Sequence, residues 1–199
     1  STLGTSGQVL ESTGGAAVWR TPTVGTAGAM TQIASSYAAT SQANFNFSGI
    51  TSAYAYLQIV GELRSDLADV AENFYVIFNG STAAAYEFFH ISFAKSTDAV
   101  QPVPASTASS GIYIGTGPAA NSLAGSFMSF EGKLFNYHST WIKKNYDGRY
   151  SNVRTSVVST AEMGINQGMW NSTAPITQIT VKGANSLSSG SWVALHGIT

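Results

Sequence analysis

The chain has no cysteine, which removes disulfide scaffolds, thiolate metal sites and cysteine nucleophiles. Charge is scarce as well: Asp, Glu, Lys and Arg make up 10% of 199 residues, against about a quarter in an average domain. The 9 basic and 10 acidic residues leave a net charge of -1. No clustered Lys and Arg are available to neutralise phosphates, so no nucleic-acid partner is expected. No window approaches the roughly 18 apolar residues of a membrane span, and no membrane insertion is expected. The N-terminus lacks a basic start followed by an apolar run, so no signal peptide is expected. The first residue is Ser1 rather than Met, which fits processing or excision from something longer. Helical periodicity is nearly absent too.

What the chain has instead is glycine, small polar residues and aromatics, the last at 12%. That aromatic content is high for a disordered chain, and the length suffices for one substantial β domain. Apolar and polar residues alternate with period two between Gly, Ser, Asn and Pro punctuation. The pattern predicts strands over 30–37, 44–47, 54–64, 73–78, 86–94, 111–114, 126–137, 141–145, 152–159, 164–170, 176–182 and 191–198. Phe74, Val76 and Phe78 fall on one face, Phe45 and Phe47 share another, and Val193 and Leu195 alternate with Trp192 and His196. Broken alternation around Phe127, Phe130, Leu134 and Phe135 predicts a bulge near Gly132. Asn79-Gly80 and Gly49 read as turns. Residues 63–71, 96–110, with Pro102 and Pro104, and 115–125 read as loops. Many short strands without a crossover helix predict an all-β antiparallel β-sandwich, jelly-roll-like, with a short extended N-terminal segment.

That segment carries a distinctive cassette. Residues 1–20 read STLGTSGQVLESTGGAAVWR, with small residues around Val9-Leu10 and Ala17-Val18-Trp19. Nothing there could build a core alone, yet each apolar note must be hidden somewhere. Other copies of the chain are the expected cover, so Val9, Leu10, Val18 and Trp19 are expected oligomer contacts. The pattern GxxGQVLxSxGGxxxxW resembles a cassette of bacteriophage fibre and other virion proteins that precedes a β-structured head. The body is similar to a β-sandwich of phage fibre and capsid-associated proteins. The matching elements are Phe47-Ser48-Gly49-Ile50, Tyr54, Leu57, Ile59, Phe78-Asn79-Gly80, Trp170, Ile176-Thr177-Gln178-Ile179-Thr180-Val181 and Gly197-Ile198. The resemblance implies a virion location after assembly in the host cytoplasm. It implies a division into 1–25, an attachment and trimerisation segment, and 26–199, a β-sandwich head. The expected role is a homotrimeric tail or head fibre whose head contacts host surface polysaccharide, joined to other virion proteins through its N-terminal segment. The alternatives are a capsid or tail decoration protein that cements neighbours, and a carbohydrate-binding module or glycan hydrolase.

Candidate chemistry is sparse, and no catalytic residue, cofactor or metal is expected. His90, His138 and His196 lack metal-ligand spacing and read as structural rings. The sharper alternative is one His138 from each chain on a trimer axis. Asp66, Asp69 and Glu72 make a DxxDxxE run that reads as a solvated acidic loop rather than a Ca²⁺ site. No GxSxG, HExxH or phosphate-binding loop is present. The stretch HSTWIKKNYDGRYSNVR, residues 138–154, offers aromatic planes among donors. Trp141, Tyr146, Arg149 and Tyr150 are the expected glycan-binding residues. The same stretch also reads as a hairpin turning at Asp147-Gly148.

Overall fold

The structure, a computed structural model, describes residues 5, 8–12, 17–20, 29–82, 85–94, 99–155 and 161–199, with the backbone alone at 9, 11, 12, 94 and 99–109. Among the described residues all regular structure is β. Strands β1 (Val9–Ser12) and β2 (Ala17–Arg20) pair with each other as a separate antiparallel sheet. The body contains β3 (Met30–Tyr37), β4 (Phe45–Ser48), β5 (Tyr56–Leu63), β6 (Ala71–Phe78), β7 (Tyr86–Ala94) and β8 (Ala99–Ser109). It continues with β9 (Ile112–Pro118), β10 (Met128–Phe135), β11 (Lys144–Val153), β12 (Ala161–Trp170), β13 (Gln178–Lys182) and β14 (Trp192–Ile198).

These strands form an eight-stranded sheet, β3-β14-β5-β10-β11-β12-β7-β8, and a four-stranded sheet, β4-β13-β6-β9. From β3 to β6 the chain steps between the sheets strand by strand, as interleaved Greek keys do, and β9, β10, β13 and β14 close the pattern. The result is a jelly roll of β3-β14-β5-β10 over β4-β13-β6-β9, with two antiparallel pairs added to its larger sheet. One is β11 and β12, set beside β10; the other is β7 and β8, which continues the sheet to its edge.

Period two decides which way each side chain points. Along β11 buried and exposed residues alternate without a break, and β5 alternates between buried and half-buried. Phe45, Phe74, Phe78, Leu57, Ile59 and Leu195 meet between the sheets. Each such fully buried side chain contributes about 1.5–3 kcal/mol. Strand β9 is buried along nearly its whole length, because it lies over the middle of the larger sheet.

Several local expectations are corrected. Asp147-Gly148 is not a turn: it lies inside β11, paired with Lys133-Gly132 on one side and Gln167-Asn166 on the other. One strand, β11, runs from within the first strand expected around it, 141–145, into the second, 152–159, of which residues 156–159 lie outside the described residues. Gly132 is not a bulge either, since β10 keeps register with both neighbours through it. Both glycines serve the same end. A Cβ on Gly132 would lie 2.2 Å from the Tyr146 ring, and one on Gly148 2.5 Å from its hydroxyl. The bare backbone leaves the space that the ring fills. Register does shift elsewhere: at Gly115 (φ 149), where β9 slips one residue against β6, at Leu195-His196 of β14 against β3, and between β7 and β8. Residues 99–109, expected as loop, form the edge strand β8, and the loop expected from 115 begins only after Pro118. Asn79 (φ 50) and Gly80 (φ 65) do form a tight turn, closed by Ser81 N–H donating to Phe78 O at 2.9 Å. It carries the chain from one sheet to the other.

Candidate functional site

Between β10 and β11 the chain makes a short excursion, residues 136–143, that holds the most exposed large hydrophobic side chain among the described residues. Trp141 is 79% exposed. Its loop is fixed at several points. Asn136 takes a positive φ of 56°, and the Ser139 N–H donates to Asn136 O at 3.0 Å. Ser139 Oγ then accepts from the N–H groups of Trp141 at 3.3 Å and Ile142 at 3.0 Å.

The clamp below is Lys144, the first residue of β11, which period two turns inward. Its side chain is fully buried, and its ammonium donates to Ser139 O at 2.7 Å, Ile142 O at 2.6 Å and Thr173 O at 3.0 Å. Burial pulls its pKa below the usual lysine value. Tyr137 fixes the other side of the loop. Its hydroxyl donates to Thr51 O at 2.7 Å and accepts from Tyr54 N–H at 3.1 Å, while Ile176 N–H donates to Tyr137 O at 2.7 Å. The indole therefore stands on a platform tied to two other parts of the head, the segments around Thr51–Tyr54 and Thr173–Ile176.

The four residues expected to bind glycan are not brought together. Tyr146 and Tyr150 are buried in the core, on the inward parity of β11. They offer no ring face to a ligand, and the reading of their planes as a stacking surface is corrected. Burial raises both phenol pKa values. Tyr150 donates to Glu162 Oε1 at 2.6 Å, and Glu162 pairs with Arg154 at 3.0 Å. Beside them Tyr113, pushed up to about 12 by burial, packs at a tilt against His90 with ring centroids 4.4 Å apart. Arg149 takes the outward parity and pairs with Glu131 at 2.9 Å across the outer face of the larger sheet. A shallow trough of about 650 Å³ crosses that face, with Phe93, Met163 and Ile165 on one flank, Val60 and Trp192 on the other, and Arg149 and Glu131 between. Glu62 is held there by the Trp192 indole N–H at 3.0 Å.

The remaining candidates are dispersed. Glu72 points inward, where its Oε1 accepts from Ala184 N–H at 2.6 Å and Asn185 N–H at 2.8 Å, and its Oε2 accepts from the Ser65 hydroxyl. Asp66 accepts from Ser41 Oγ at 2.7 Å, and Asp69 accepts from its neighbour's Val70 N–H. The DxxDxxE run is thus not a solvated acidic loop at its third member. Among the described residues no three His, Asp or Glu side chains are grouped to hold a metal ion. His138 is exposed beside Tyr137, and His90 is buried. His90 Nδ1 and His196 Nδ1 have no hydrogen-bond partner among the described residues.

In the N-terminal hairpin Leu10 and Trp19 are directly opposite each other, 57% and 40% exposed, and Val18 is half-buried opposite Glu11. The Val9 side chain lies outside the described residues.

Sequence reasoning missed the Lys144 clamp and the outer face. The signal for the face was available: the run Phe88-Phe89-His90-Ile91-Ser92-Phe93 is apolar at one parity and mixed at the other. No protein-family model matches the chain, and no curated protein or solved structure matches it.

Proposed function

We propose that this chain is a structural protein of a bacteriophage virion, the head of a homotrimeric tail or head fibre that contacts host surface glycan. The observation that carries the reading is Trp141, an indole 79% exposed on a loop clamped by Lys144 and Tyr137. A flat apolar face held out in advance stacks on a sugar ring with little conformational freedom left to lose. The exposed His138 and Lys143 beside it supply polar atoms for hydroxyl groups. The hairpin of β1 and β2 supports the attachment half of the reading. Two four-residue strands with an exposed Leu10 and Trp19 are not stable by themselves in water. They gain cover against other copies and other virion proteins. The proposed role is binding and assembly, without a catalytic step.

A second reading, a capsid or tail decoration protein, is favoured by the apolar outer face of the larger sheet. Binding of the purified chain to host surface polysaccharide and to capsid shells separates the two. The fibre reading expects polysaccharide binding. Tight binding to shells with no polysaccharide bound would replace it with decoration.

A further inference from the structure

The polar groups on the outer face of the larger sheet are treated differently at its two ends. Around the trough already described they satisfy one another: Glu131 pairs with Arg149 at 2.9 Å, and Glu62 accepts from the Trp192 indole N–H at 3.0 Å. The end that borders the Trp141 loop is unlike this. There register sets Phe135 beside Asn145, Asp147 beside Gln167, and Gln167 beside Phe89. Period two turns all five outward, together with Glu87, and all six are exposed. They line a second open trough of about 560 Å³, a size within the range of small-molecule sites. Phe135 and Phe89 are on its two flanks, 39% and 42% exposed, and Tyr56 packs against Phe135 with ring centroids 5.5 Å apart. Between the rings are Asn145, Asp147, Gln167 and Glu87. None of these four side chains makes a hydrogen bond or ion pair among the described residues.

We propose that this trough is a second glycan contact, continuous with Trp141, and that its ligand is an uncharged oligosaccharide. The proposal rests on the glycan reading above. The rings supply the first argument. A phenyl face is flat and apolar, and it suits the C–H face of a sugar as the indole does. The second is the supply of donors and acceptors. Two carboxylates accept only, while two primary amides both donate and accept. Acceptors are therefore in excess, and the ligand that satisfies them brings many donors, as a row of hydroxyl groups does.

Charge is the third argument. Glu87 and Asp147 are both in the trough, and the cation opposite Asp147 in register is Lys133 alone. A sugar carrying its own carboxylate would meet like charge there, which selects against it. The fourth is extent. From Phe135 on β10 to Phe89 on β7 the trough crosses three strand spacings, roughly 14 Å, longer than a single sugar ring. The Trp141 loop leaves the sheet just after Phe135 and rejoins it just before Asn145. Indole and trough thus share one end of the sheet, where one saccharide chain can engage both.

The test is binding of the full chain to an array of neutral oligosaccharides and of uronic-acid oligosaccharides, each with short and long members. The proteins are wild type, Phe89→Ala, Phe89→Tyr and the double variant Asn145→Ala, Gln167→Ala. The substituted side chains are all exposed, so the head should fold in every form, which near-ultraviolet circular dichroism checks. Wild type should bind long neutral members more tightly than short ones. Phe89→Ala and the double variant should each weaken the long members about tenfold, as the loss of one stacked ring or of two hydrogen bonds implies. Phe89→Tyr keeps the ring face and should bind as wild type does; a loss equal to that of Phe89→Ala overturns stacking at this position. Variants that bind the long neutral members as tightly as wild type overturn the trough while leaving the contact at Trp141 standing. A preference of wild type for the uronic-acid members overturns the uncharged ligand. No glycan bound by wild type overturns this proposal and the glycan reading together.

Discussion

Tyr146 and Tyr150 lie flat on the backbones of neighbouring strands, and the glycines beside them make this possible. Gly132 and Gly148 face each other in register beneath Tyr146, and Gly164 is opposite Tyr150. A methyl at Gly132 would meet a buried ring at 2.2 Å. Gly132→Ala should therefore destabilise the head by about 2–3 kcal/mol, read as a lower urea midpoint; an unchanged midpoint would contradict the packing. His90 makes a different kind of prediction. Burial lowers its pKa from 6.5, and Glu162 opposes this only in part. The unfolded chain therefore takes up a proton near 6.5 that the folded chain resists. Stability is full above that value and is lost as pH falls from it toward the folded-state pKa. His90→Phe keeps the ring packed on Tyr113 and removes the titration. The variant should lose less stability than wild type between pH 7.5 and 5.5 in urea unfolding, and parallel losses would contradict the assignment.

At the scale of elements, most strands were legible because one face of each is buried and the period-two pattern is then enforced. β3 and β7 have the bounds that alternation predicts. The failures share a cause. Asp147-Gly148 has the composition of a hairpin turn, but a tyrosine two residues to either side needs the core, and burial of those rings outweighs local turn preference. Pro102 and Pro104 likewise have the composition of a loop, yet they sit in β8, the edge of the larger sheet. Pro104 falls in the register shift between Val103 and Ser106, and neither proline has an N–H to offer a further strand. With Pro102 opposite Ile91, that arrangement suits a strand that pairs on one side and must not pair on the other. Replacing them with Pro102→Val and Pro104→Thr should leave the fold intact and promote edge-to-edge association, seen as a rise in scattered light with concentration. No rise would mean that the prolines do not guard this edge.

At the scale of the whole molecule, scarce charge is put to uses that composition alone does not reveal. Lys144 and Arg64 both bind loop carbonyls. Arg64 donates to Leu123 O at 2.7 Å, Ser126 O at 3.0 Å and Ser122 O at 3.2 Å, and so closes the loop after β9 much as Lys144 closes the loop before β11. Trp141 was legible as a candidate because its aromatic plane stands among donors, although the strand expected from 141 begins only at Lys144. Its companions were not. Tyr146, Arg149 and Tyr150 are neighbours in sequence, but alternation sends two of them inward and the third to another face. The clamp was illegible for the opposite reason: a lysine beside a second lysine, Lys143, reads as surface charge until the strand start assigns it an inward parity. Residues that meet through tertiary structure, such as Lys144 with Thr173, leave no local pattern at all.

Trp141 is proposed to meet glycan from this loop, and binding of the full chain and of Trp141→Ala to one glycan array tests that contact. The expected result is wild-type binding to a defined set of glycans, with a loss of roughly 30-fold in affinity, about 2 kcal/mol, in the variant, at unchanged mass and melting temperature. Equal binding by both proteins, or no glycan bound by the wild type, would contradict it.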